Sequence, residues 1–185
     1  MPGSRRTKDD WTAIALAALA EGGVSAVAVE PLAARVGATK GSVYWHFATR
    51  DALLEATLQR WEREHTSEII AFADGGSSPQ ERLSLLFTAA LTPSMGVVIE
   101  LALLASSGDP VVSAAIARVT DRWIAYLATQ FGQLGFGRGA ARRRAIVAYS
   151  VYLGQAQLMR SADVLPQSAS ARKAHVAEVL RVISA

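Results

Sequence analysis

Val29-Glu30-Pro31-Leu32-Ala33-Ala34-Arg35-Val36-Gly37-Ala38-Thr39-Lys40-Gly41-Ser42-Val43 is the stretch that decides the fold. Leu32 and Val36 lie four residues apart, so they share one face of a short helix over about Val29–Val36. Pro31 sits in its first turn, where no amide donor is lost. Ala33 is small enough for the next helix to cross close above it. Gly37 supplies a left-handed residue that swings the chain by roughly a right angle. Thr39 can cap a following helix that runs to about His46, and Val43 closes the core from it. This is helix-turn-helix spacing, at about residues 28–47. Its product is a short helix with polar and small side chains outward.

Working outward, Trp11, Ile14, Ala15, Ala18 and Leu19 recur at helical spacing, with Asp9 and Asp10 at the start and Gly22-Gly23 at the end. Downstream, Thr49 caps a long helix from about Arg50 to Ala73. Asp74-Gly75-Gly76-Ser77-Ser78-Pro79 reads as a linker. Helices follow over about 79–91, 94–106, 110–131, 140–161 and 170–184. No strand alternation and no repeat is visible. The expectation is an all-α chain of about nine helices.

Composition agrees. The chain has 185 residues, of which 51% are hydrophobic and 19% charged, enough for one or two small domains and too apolar for a disordered protein. There are 35 alanines against 14 glycines and 6 prolines, which favours helices over turn-rich β structure. With no cysteine there is no disulfide, thiolate zinc site or cysteine nucleophile. A net charge of +3 does not by itself imply a polyanion partner. The first twenty residues resemble a secretion signal in having Arg5, Arg6 and Lys8 before an apolar run ending Ala18-Leu19-Ala20. Asp9 and Asp10 interrupt that pattern, and the run serves as the first helix. Leu83 to Ile99 carries no charge but is broken by Thr92-Pro93-Ser94, so it reads as two helices and a corner rather than a membrane span. A soluble, cytoplasmic protein without a membrane partner is expected.

The second short helix carries Thr39, Lys40, Gly41, Ser42, Tyr44, Trp45 and His46. Lys40 can meet a phosphate or a guanine edge. Gly41 allows close approach to a duplex. The hydroxyls of Thr39 and Ser42 can bond phosphates or bases, Tyr44 and His46 can reach phosphates, and Arg50 adds a further cation. Arg5, Arg6 and Lys8 form a basic arm suited to the backbone or minor groove. Each has an ordinary reading too: Lys40 and Arg50 as solvated charges, His46 as a surface histidine. Trp45 reads as a partly buried packing residue more readily than as a base reader.

Val43-Tyr44-Trp45-His46-Phe47, followed by Thr49-Arg50-Asp51-Ala52-Leu53-Leu54, resembles the TetR family of transcriptional repressors. The likeness covers about residues 9–60; beyond them only the order of helices is similar. It implies an N-terminal arm and three-helix DNA-binding domain over 1–50, then a helical ligand-binding and dimerisation domain over 51–185. One position departs: the family often has Thr where this chain has Ala28. Alanine can neither cap the helix nor bond a phosphate, and losing such a cap costs about 1 kcal/mol.

The resemblance also implies an effector pocket among the middle helices. The expected lining is Trp61, His65, Phe87, Met95, Ile99, Glu100, Trp123, Tyr126 and Tyr152, and the aromatic content suits an apolar, ring-containing ligand. Glu100, set in an apolar run, needs a partner such as Arg122 or a ligand group. Ala148, Ser150, Gly154 and Ala156 alternate with Ile146, Tyr149, Leu153 and Leu158, and Val176, Val179, Leu180 and Ile183 form a stripe. These last two helices are the candidates for a homodimeric four-helix bundle, whose alternative is packing within their own domain.

An enzyme is not expected. Glu62 and His65 make one Glu-x-x-His, but a di-iron bundle needs a second, and His175 with Glu178 lacks matching carboxylates. Gly135-Phe136-Gly137-Arg138-Gly139 follows no strand. No catalytic residue, metal or cofactor is expected. The function anticipated is a regulator of double-stranded DNA: a repressor released from a palindromic operator by a small apolar or aromatic molecule. The alternative is a helical ligand-binding or interaction protein without DNA binding.

Overall fold

The computed structural model describes residues 6–92, 94–162 and 164–184, and among them all regular structure is helical. The α-helices are α1 (Lys8–Gly22), α2 (Val29–Arg35), α3 (Lys40–Tyr44), α4 (Arg50–Glu62), α5 (Glu68–Ala73), α6 (Pro79–Ala90), α7 (Met95–Leu104), α8 (Pro110–Gln133), α9 (Arg138–Ser161) and α10 (Ala169–Ile183). A 3-10 turn at Val24–Ala26 and a π-helical turn at Arg63–Ser67 were not legible in the sequence pattern. The long helix expected over 50–73 is α4 and α5 joined through that π-turn. Among the described residues the fold is all-helical, with an N-terminal helix-turn-helix and a C-terminal helical part. The chain divides into two compact units: Met1–Glu64 with Val98–Ala117, and His65–Val97 with Arg118–Ala185.

The first unit begins with a capping box. Thr7 Oγ1 accepts from Asp10 N at 3.1 Å, while Thr7 N donates to Asp10 Oδ2 at 2.7 Å. That exchange satisfies amides the first helical turn cannot. The backbone N–H of Thr7, then its hydroxyl, holds the Asp10 carboxyl below its ordinary value. Trp11, Ala15 and Leu19 are fully buried on one face of α1, and α1 packs on α4, whose Leu53, Leu54 and Leu58 are buried in turn. Burial of each such leucine is worth about 1.5–3 kcal/mol. Arg60 Nη1 donates to Asp9 Oδ1 at 2.9 Å, tying α4 to the start of α1.

α2 starts at Ala28, which makes no side-chain cap bond. It ends in a Schellman turn: Ala38 N donates to Ala33 O at 2.9 Å, and Gly37 N to Ala34 O at 3.1 Å. That turn places Gly37 at φ 62°, in the left-handed region. Leu32, Ala33 and Val43 are buried where α2 and α3 meet.

In the second unit α6 packs on α5, α9 and α10. Residues 74–79, expected as a linker, form a tight corner within this unit. Ser78 Oγ accepts from Glu81 N at 3.2 Å, and Ser77 N donates to Glu81 Oε2 at 2.8 Å. The Ser77 hydroxyl, then its amide, holds the Glu81 carboxyl low. Gln155 Nε2 lies 2.7 Å from His175 Nε2, joining α9 to α10. α4 buries its leucines against α1, so Arg50–Glu62 belongs to the first compact unit.

Candidate functional site

α3 is shorter than its sequence suggested, ending at Tyr44, with Trp45 and His46 in the turn beyond it. Val43 and Phe47, four residues apart, are buried and anchor the segment. Thr39 occupies the N-cap position with extended backbone, yet its hydroxyl makes no cap bond. Ser42 does the local bonding: its N and Oγ both donate to Thr39 O, at 3.0 and 2.6 Å. Thr39, Lys40 and Gly41 are exposed, and Tyr44 is 47% exposed. Trp45 is 71% exposed, which corrects its reading as a packing residue: Val43 and Phe47 already fill the inward face. Lys40 Nζ lies 3.2 Å from Glu30 Oε1, and both side chains are well exposed. Such a surface pair is worth about 0–1 kcal/mol, so a phosphate can replace Glu30 at little cost.

Three of the expected DNA contacts are engaged within the first unit. Arg6 Nη2 donates to Val36 O at 2.9 Å, and its guanidinium lies 5.8 Å from the centre of the Trp11 ring. His46 Nε2 lies 2.9 Å from Arg6 O, so the imidazole holds the arm's backbone. Arg50 donates from Nε to Val27 O and from Nη2 to Val24 O, both at 3.0 Å. Its guanidinium thereby ties the start of α4 to the 3-10 turn, where Val24 O also accepts from Val27 N. Arg5 lies outside the described residues.

The second unit holds a partly open cavity of about 60 Å³. Of the residues expected around a ligand, His65, Phe87, Trp123 and Tyr152 line it. Trp61, Met95, Ile99, Glu100 and Tyr126 do not. Trp61, Ile99 and Glu100 are buried in the first unit, and Met95 is exposed at the start of α7. Tyr126 donates its phenol to Asp74 Oδ1 at 2.7 Å. Burial first, then that bond and the Asp74 charge, push its pKa well above the ordinary phenol value. Arg122, considered as a partner for Glu100, donates instead to Ser67 Oγ at 2.8 Å.

The cavity also takes in Ile69 and Leu86, and Ala148 and Tyr149 of a helix expected for the dimer. Tyr149 could have been found: it precedes Tyr152 by three residues on α9, and the two rings stack with centres 5.8 Å apart. His65 is held on two sides. Tyr152 Oη lies 3.2 Å from its Nε2, and a Cβ placed on Gly96 would overlap its ring. Ser94 Oγ accepts from Val97 N at 3.4 Å. Trp123 Nε1 is buried and has no hydrogen-bond acceptor among the described residues. A buried donor left in that state costs about 1–3 kcal/mol. Among the described residues no group of three or more His, Asp or Glu side chains could hold a metal ion, and no single helix is long and apolar enough to cross a membrane.

Residues 12–57 match the sequence model of the tetR family of bacterial regulatory proteins. No curated protein matches the chain by sequence. Solved structures share its fold. A transcriptional regulator from Rhodococcus sp. Rha1 superposes with a TM-score of 0.78 at 18% identity, covering 97% of this chain and 99% of its own. A structure from Saccharomonospora viridis, described as a transcriptional regulator in complex with choline, gives 0.77 at 18% identity, over 94% and 95% of the two chains. A TetR transcriptional regulator from Legionella pneumophila gives 0.73 at 18% identity, over 98% and 99%. The matched family is one of regulators rather than enzymes. Residues 12–57, which match the tetR-family model, contain the exposed α3 and its buried platform, and the whole chain shares the all-helical fold of these regulators.

Proposed function

We propose that the protein is a homodimeric, cytoplasmic repressor that binds a palindromic operator through α3 and is released by a small, largely apolar ligand held in the cavity of the second unit. The observation that carries this reading is the face of α3. Thr39, Lys40, Gly41, Tyr44 and Trp45 are exposed, while Val43 and Phe47 are buried beneath them. Lys40 and Tyr44 contact the duplex, Gly41 permits close approach, and Thr39 offers a hydroxyl. Arg6, His46 and Arg50 support the platform. Ala28 leaves one phosphate anchor fewer than its family relatives often have.

Two copies are required because a palindrome presents two half-sites. α9 exposes Ile146, Val147 and Leu158 and α10 exposes Val182, apolar surface suited to a second copy. Effector coupling has a covalent route. α4 runs through the π-turn Arg63–Ser67 into α5, and His65 of that turn lines the cavity. Ligand and operator then oppose one another reciprocally.

The test is binding of the Lys40→Ala, Tyr44→Ala double variant to the DNA upstream of its own gene, followed by gel shift over a range of salt. Loss of about tenfold or more, with a shallower salt slope, is expected. Unchanged affinity and slope would remove α3 from the interface. No duplex binding by the wild type would favour a ligand-binding or interaction protein instead.

A further inference from the structure

We propose that the cavity of the second unit selects an uncharged, mainly apolar ligand bearing one hydrogen-bond acceptor, a carbonyl or similar oxygen, which takes the hydrogen of Trp123 Nε1. This rests on reading the cavity as the effector site and goes further by assigning the ligand's chemistry.

No Asp, Glu, Lys or Arg lines the cavity. A formal charge placed there would lose its hydration without a counter-charge in return. Phe87, Trp123, Tyr149 and Tyr152 supply aromatic faces, which suit a ring but would also attract a quaternary ammonium group. The indole N–H decides between them. Trp123 is only 8% exposed, and its Nε1 has no acceptor among the described residues. Indole nitrogen is a donor and nothing else. A cation offers it no lone pair and leaves it unsatisfied, whereas a neutral oxygen satisfies it. Ser94 Oγ accepts from Val97 N and Tyr152 Oη lies against His65 Nε2, so Trp123 Nε1 is the buried lining donor without an acceptor among the described residues. Trp123 is therefore the residue that orients the ligand.

Four probes of similar size separate the possibilities by isothermal titration calorimetry on the full chain without DNA: acetophenone, ethylbenzene, benzoate and phenyltrimethylammonium. Acetophenone is expected to bind about tenfold more tightly than ethylbenzene and more tightly than either charged probe. Trp123→Phe keeps the aromatic face but removes the donor. It is expected to bring acetophenone to the level of ethylbenzene while ethylbenzene changes by less than about twofold. Equal binding of ketone and hydrocarbon, tightest binding of a charged probe, no binding of any probe at millimolar concentration, or a preference that survives Trp123→Phe would each overturn the proposal. The wild-type series decides the matter even if the variant does not fold. A gel shift with acetophenone distinguishes the two readings: a ketone that binds in the expected order but leaves the DNA complex intact removes the effector role while the ligand assignment stands.

Discussion

The recognition helix and the cavity are built by opposite rules. α2, α3 and the turn between them come from one continuous stretch of chain, in which the backbone bonds of the turn run between residues a few positions apart. The cavity is assembled from side chains between His65 and Tyr152, contributed by the π-turn and by helices from α5 to α9. The first site is polar, exposed and tolerant of its distant surroundings. The second exists only while remote helices keep their register. A local site should fail through its few anchors, and a non-local one through any residue that spoils the fit.

The sharpest way to break that contrast is Leu32→Ala. Leu32 is buried beneath α3, and its truncation is expected to cost about 2–5 kcal/mol in urea unfolding and to abolish DNA binding. A loss below about 1 kcal/mol would mean that this side chain does not hold the platform. Gly96→Ala addresses the other region. The added methyl overlaps the buried His65 ring, so a thermal unfolding loss of about 1–3 kcal/mol is expected, with probe binding abolished and α3 untouched. Retained probe binding would show that the fit around His65 is not needed.

Arg50→Gln tests support against contact. Losing the bonds to Val24 O and Val27 O should cost about 1–2 kcal/mol, while the slope of DNA affinity against salt stays as in the wild type. A slope smaller by about one would return Arg50 to the phosphate contacts. Gly37→Ala should cost about 1 kcal/mol through backbone conformation alone, since nothing lies within 4 Å of the added carbon. The smallest effect belongs to Asp10→Asn. The native carboxyl is depressed from 3.8, so its contribution to stability is present above that pH and is lost as pH falls through the lower folded value. The variant should flatten the acid limb of the stability profile, and an unchanged limb would remove Asp10 from it.

Thr39 and Thr49 show how far local signals reach. Both precede helices as hydroxyl residues, and both adopt extended backbone. Only Thr49 caps, accepting from Ala52 N at 3.0 Å. At α3 the Ser42 amide bonds the Thr39 carbonyl instead, a choice between nearby acceptors that composition does not reveal. Trp61 and His65 show the larger difficulty. Four residues apart on an ideal α-helix, they would share a face. The π-turn at Arg63–Ser67 adds a residue to that turn and shifts the register of everything after it. Trp61 therefore belongs to the core of the first unit, while His65 lines the cavity of the second.

The helical class, the turn at Gly37 and the outward placing of Thr39, Lys40 and Gly41 are legible in the residues alone, because each depends on steric limits and hydrogen bonds within a few positions. Tertiary structure alone decided which aromatic rings surround the cavity, which arginines brace carbonyls, and that the Trp123 donor is left without an acceptor. Those outcomes depend on the packing of segments far apart in the chain, where a single-residue change of helical register sends a side chain to a different neighbour.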